Sequence, residues 1–123
     1  MKDIQTREDI LLIMREFYKK LLDDEKMSVF FTVATDVSQH IDNHFEILAD
    51  FWMQSLFLTG NYQNNMFLLH KKVHERFSFR KEHYDTWLSY LYSSIDQNFK
   101  GKKAEQMKTQ ALSIATILQI KLV

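Results

Sequence analysis

Apolar residues recur along this chain at helical spacing, and the pattern predicts helices nearly throughout. Thr6 suits an N-cap, with Asp9 three residues on in the manner of a capping box, and Ile10, Met14, Phe17, Tyr18 and Leu21 follow as one stripe. That helix is expected to end in the charged run DDEK, residues 23–26. MSVFF (27–31) reads as a short helical turn and TVATDV (32–37) as a connection. A long helix is predicted from Ser38, with Ile41, His44, Leu48 and Phe51 or Trp52 turned inward and Gly60 as a left-handed stop beyond its end. After the loop TGNYQNN comes a helix of about three turns containing FLLHKKVHERF (67–77). Its inner face carries Met66, His70, Val73 and Phe77, while Lys71, Lys72, Glu75 and Arg76 look to water. A further helix runs from about Arg80 to Phe99, with Tyr84, Trp87, Leu91 and Ile95 on one face and Gly101 after its end. The last begins at Lys102 and turns Met107, Ala111, Ile114 and Leu118 inward. No run alternates apolar and polar residues long enough to be a strand, and the sequence contains no proline. The fold class is all-α.

Composition narrows this picture further. The chain has 123 residues, which fits one domain over 1–123 around one core. Sixteen basic and sixteen acidic residues balance, so no electrostatic argument points to nucleic acid or an anionic membrane. No apolar run is long enough to span a bilayer, and the N-terminus MKDIQTREDI does not read as a signal peptide. The absence of cysteine excludes disulfides and thiolate chemistry and is compatible with the cytoplasm, the expected location. Ten Phe, five Tyr and two Trp supply flat apolar surface that suits either a small core or a pocket for a large flat ligand.

The residues able to carry chemistry are few. His70 with His74, and His40 with His44, stand one helical turn apart and could each chelate a metal. The plainer reading gives each pair one packed and one solvated imidazole. Neither a zinc-protease helix nor a glycine-rich phosphate loop is present. More informative are Tyr18, His44, His70 and Trp87, which lie on the inward faces of four different helices. Each has an apolar body and one polar tip. Any one of them is explained by core packing. Four directed into one interior are costly unless something there uses them.

The motifs taken in order resemble the truncated haemoglobins of group III, small bacterial globins with a two-over-two helical sandwich around haem. The resemblance runs from TREDI (6–10) and Phe17-Tyr18 through His44, Phe51-Trp52 and LFLTGNY (56–62). It continues through His70 and EHYDTWL (82–88) to KAEQMKTQALSIATILQIK (103–121). It implies haem b as cofactor, ligated at iron by His70, with Tyr18, His44 and Trp87 on the distal side and Phe31 against the porphyrin. The implied function is reversible binding of oxygen or another diatomic ligand, nitric oxide or carbon monoxide. Nitric oxide or peroxide chemistry is a possible extension, so enzymatic activity is left open. Dioxygenation requires a separate reductase. Lys71, Lys72 and Arg76 are candidates for the haem propionates or form a solvated basic face. The chain departs from the family in having Met27-Ser28-Val29 where a Gly-Pro pair is usual, Asn65 where proline is frequent, and Lys71 where leucine is usual. The alternative reading is a globin-like helical module without haem, serving in ligand binding or protein interaction.

Overall fold

The computed structural model describes residues 1–60 and 62–122, and among these the chain forms six α-helices and no strand. The helices are α1 (Arg7–Asp23), α2 (Glu25–Thr32), α3 (Ile41–Phe57), α4 (Met66–Arg76), α5 (Lys81–Asp96) and α6 (Lys102–Lys121). α1 packs on α3 and crosses α5, which in turn packs on α6. One helix pair therefore lies over the other.

Local chemistry sets the boundaries. The Asp9 N–H donates to Thr6 Oγ1 at 3.2 Å, and the Thr6 N–H donates back to Asp9 Oδ2 at 3.1 Å, which completes the expected capping box. Asp24 ends α1 and caps α2, its carboxylate accepting from the Lys26 and Met27 N–H groups. α2 is longer than the single turn expected from MSVFF. The α-helical part of α3 begins at Ile41 instead of Ser38, because Val37–His40 forms a tighter 3-10 turn first. α5 stops at Asp96, short of the expected Phe99, although Phe99 is buried.

The expected glycine stop is corrected in position only, since Gly60 does have a positive φ, 105°. Leu58, not Gly60, closes α3, at φ 59° and ψ 25°. Gly60 serves a different need: a Cβ there would lie 2.8 Å from the Asp50 carbonyl oxygen, so only glycine permits the chain to pass. Gly101 is similar, with Asp3 packed against its Cα and capping the Lys103 and Ala104 N–H groups of α6 at 2.9 Å each.

The core is formed by the predicted stripes. Ile10, Ile13, Met14 and Leu21 of α1 meet Leu91 and Ile95 of α5 and Met107 and Ala111 of α6, all nearly inaccessible to solvent. Each large aliphatic side chain buried this way contributes about 1.5–3 kcal/mol relative to exposure. α4 differs. None of its residues is fully buried.

Candidate functional site

Between α4 and the packed helices lies a cavity of about 630 Å³, within the range of about 300–1,000 Å³ usual for small-molecule sites. Its walls are mainly apolar, with Met14, Phe17, Phe30, Leu48, Phe51, Trp52 and Leu91 among them. Tyr18, Phe31, His44, His70 and Trp87, the five residues singled out in the sequence, all border this one cavity.

His70 is positioned by the turn before it. Its Nδ1 lies 2.8 Å from the Met66 carbonyl oxygen. A carbonyl only accepts, so Nδ1 carries the proton and Nε2 is left with its lone pair. Burial lowers the pKa of His70 more than this hydrogen bond raises it, so the ring is held neutral near pH 7. A neutral, oriented imidazole is the form that ligates a metal. The turn itself begins at Asn65, whose Oδ1 accepts from the Leu68 N–H at 3.0 Å. Asparagine thus supplies the helix start for which the resemblance implied proline.

From α1 and α3, Tyr18 and His44 meet in a hydrogen bond of 2.8 Å between the phenol oxygen and Nε2. Burial raises the Tyr18 pKa, so the hydroxyl stays protonated. Burial lowers that of His44, and the proximity of His70 acts in the same direction. The polar pair sits in an aromatic frame, with Phe31 and Phe45 edge-on to Tyr18 at ring separations of 5.1 Å and 5.5 Å. Trp87 on α5 stands edge-on to Phe17 at 5.8 Å.

In each pair one histidine borders the cavity and the other does not, but only His40 is solvated as the plainer reading expected, for His74 is half-buried. His74 turns from the cavity and accepts the Phe79 N–H on Nδ1 at 2.9 Å, and His40 is exposed beside Asp36. Among the described residues no group of three or more His, Cys, Asp or Glu could hold a bare metal ion. Of the basic candidates on α4, Lys72 and Arg76 border the cavity, whereas Lys71 does not. Arg76 also donates to the Ala34 carbonyl at 2.8 Å, tying α4 to the segment after α2.

No protein-family model matches the sequence, and no curated protein matches it. Among solved structures, the group III truncated hemoglobin from Campylobacter jejuni superposes with a TM-score of 0.86. The match covers 100% of this chain and 96% of that one at 22% identity. The chain has a truncated globin fold. At this identity the likeness fixes the architecture and leaves the site to be judged on its own residues.

Within the truncated globin fold, several cavity residues carried no assigned role in the sequence reading. Tyr62, packed edge-on to Phe51 at 5.2 Å, closes the side below α3. His83, Tyr84 and Phe79 border the α5 side. Tyr84 shares the inward stripe with Trp87, and that spacing is the sequence signal for it. Phe79 lies in the connection between helices, where periodicity gives no direction. No helix of the described residues is long and apolar enough to cross a membrane.

Proposed function

We propose that this chain binds one haem b through His70 Nε2 and uses it to bind oxygen or another diatomic ligand reversibly. The observation that carries the reading is the Nδ1 bond to Met66, which leaves a neutral imidazole lone pair beside a dry aromatic cavity. The donor set fits the group: one nitrogen ligand, flat apolar walls, and Lys72 and Arg76 at the border as cationic partners for carboxylates. Haem held by His70 would supply an iron able to bind a diatomic ligand.

The protein residues account for the rest. His70 holds its ring in one tautomer through the Met66 carbonyl. The phenylalanines exclude water. Tyr18 and Trp87 offer an O–H and an N–H from the other helices toward a ligand that becomes partly negative, and such charge-assisted hydrogen bonds are the strong ones. His44, bonded to Tyr18, gates access by exchanging that bond for solvent. Tight retention of oxygen suits sensing, nitric oxide dioxygenation or peroxide chemistry better than bulk delivery, and the first two need partners outside this chain.

The test is spectroscopic. Purified protein, as isolated or after addition of haem, is expected to develop a strong Soret band that shifts with carbon monoxide. Failure to acquire the band would select the haem-free module instead.

A further inference from the structure

The outer face of α6 departs from that of α1. The exposed positions of α1 are Glu8, Arg15, Lys19 and Asp23, all charged, as suits a helix face turned to water. On α6 no charged residue falls between Lys108 and Lys121. The exposed positions of that stretch are Thr109, Leu112, Ser113, Thr116, Ile117 and Ile120. Leu112, Ile117 and Ile120 are 50%, 49% and 70% exposed. None of the six borders the large cavity, whose wall takes Ile114, Ala115 and Leu118 from the other side of the same helix.

The polar groups of this strip are largely answered within the chain. The Thr116 hydroxyl donates to the Leu112 carbonyl at 2.8 Å and the Thr109 hydroxyl to the Glu105 carbonyl at 3.0 Å, so covering either threonine leaves no donor stranded. Lys108, at the edge, is paired with Asp96 and Glu105. A strip without charge offers no hold to nucleic acid or an anionic membrane. It does match itself. Thr109, Leu112, Thr116 and Ile120 alternate smaller and larger side chains along one helical stripe. Laid antiparallel on a second α6, Thr109 falls opposite Ile120 and Leu112 opposite Thr116. Each layer then sets a small residue against a large one, which lets the two helices interdigitate. A parallel pair would set threonine against threonine and leave gaps. At the C-terminal end Lys121 Nζ lies 5.5 Å over the Phe67 ring, and Phe67 and Leu68, 36% and 44% exposed, extend the apolar surface onto α4.

We propose that α6 is the contact of a homodimer, packed antiparallel on α6 of a second copy of this chain about a two-fold axis between Leu112 and Thr116. The same patch serves both copies, so the assembly closes at two. One helix pair covers less than the about 800 Å² per partner of a standard interface, which makes the dimer weak and concentration-dependent.

The test is sedimentation equilibrium of the full chain, with and without added haem, from about 10 µM to about 1 mM, a range that spans weak association. The mean mass is expected to rise from 14.8 kDa toward twice that value, alike in both cases. Leu112→Lys and Ile120→Lys change exposed side chains and should keep the helical circular dichroism spectrum. Each should weaken association at least about tenfold by placing a charge in the covered layer. Because the chain has no cysteine, single introduced ones report direction. Mildly oxidised, a mixture of Thr109→Cys and Ile120→Cys should give the mixed disulfide in excess of either homodimer. In the antiparallel pair like positions stand about 16 Å apart, beyond the about 7 Å between Cα atoms that a disulfide spans. An excess of homodimeric disulfides would make the helices parallel and overturn the pairing. So would a mass fixed at 14.8 kDa at the highest concentration. A dimer untouched by both lysine variants would place the contact elsewhere and overturn it too. A monomer that binds neutral phosphatidylcholine vesicles, and loses that binding in Ile120→Lys, would assign the strip to a lipid surface instead. None of these readouts depends on a Soret band, so their failure and the failure of haem binding are separate results.

Discussion

α1 and α4 are both amphipathic by sequence, yet the structure treats them differently. α1 buries Ile10, Ile13, Met14, Phe17, Tyr18 and Leu21 against other helices. α4 buries nothing completely and is held mainly near its ends. Asn65 caps its start, Lys121 lies 5.5 Å over the Phe67 ring, Arg76 reaches the Ala34 carbonyl, and His74 binds the Phe79 N–H. An apolar stripe thus has two uses. On α1 it completes the protein's own core, while on α4 it borders the cavity proposed to take haem. Measurements that separate guest from core should therefore divide the two helices.

The largest division is expected at His70. Under the haem reading, His70→Ala removes the nitrogen that would hold the iron, and haem retention should fall until the Soret band is lost on gel filtration. A guest present at a thousandfold excess over its Kd stabilises the native state by about 4 kcal/mol, so haem should raise the Tm of the wild type and not of this variant. His74→Ala should retain the band and lower Tm modestly, since it loses the hydrogen bond from the Phe79 N–H and the stacking on the Phe79 ring. A normal spectrum in His70→Ala with loss in His74→Ala would reverse the assignment.

Next in size is the contrast within the protein alone. Leu91 is fully buried, and Leu91→Ala should cost about 2–5 kcal/mol in denaturant unfolding of haem-free protein. Leu69, at 49% exposure on the cavity border, should cost well under that when changed to alanine. Comparable losses would show that α4 is packed as tightly as α5 in solution.

How far sequence alone reached follows the same line. Stripes that end in a packed core were legible, because burial on one helix face leaves a period that needs no knowledge of neighbours. Ile10, Met14, Leu91 and Met107 are of this kind. Helix stops were less legible: the turn that closes α3 fell on Leu58, while Gly60, also at positive φ, lies against the Asp50 carbonyl, a contact distant from any local pattern. At the cavity, Tyr18, His44, His70 and Trp87 were found because a polar tip on an apolar stripe is anomalous. Phe79 was not found, because its place in a short connection has no periodicity. Nor could sequence show how each ring is turned about its own bonds, although the stripes did place His44 and His70 inward. That depends on acceptors such as the Met66 carbonyl and donors such as the Phe79 N–H.

A smaller effect is expected across the cavity from α4. If Tyr18 and Trp87 both donate to the diatomic ligand, Tyr18→Phe or Trp87→Phe should speed oxygen release in stopped-flow measurements by about 10- to 100-fold, the equivalent of about 1.5–3 kcal/mol. Carbon monoxide accepts less negative charge, and its release should change little. The double variant should fall short of the product of the single effects, since residues sharing one network are not additive. Equal acceleration of both gases would mean that the pair controls access or packing instead.

The smallest effect is the pH dependence of the haem-free protein, and it sharpens the comparison without any ligand. His70 on α4 and His44 on α3 both have pKa values lowered chiefly by burial. A histidine of this kind binds its proton more readily in the unfolded chain, where its pKa is about 6.5. The unfolded state then carries more protons, so stability rises with pH across the window between the two pKa values. The contribution is fully present above about pH 6.5 and declines as pH falls through that value toward the lowered folded pKa. His83 has a lowered pKa for the same first reason and adds to the trend. Tm should therefore be lower at pH 5 than at pH 7.5, and the difference should shrink in His70→Gln and shrink further in His44→Gln/His70→Gln. An undiminished difference in the double variant would show that neither imidazole is buried in solution, and that the cavity beside α4 stands open to water.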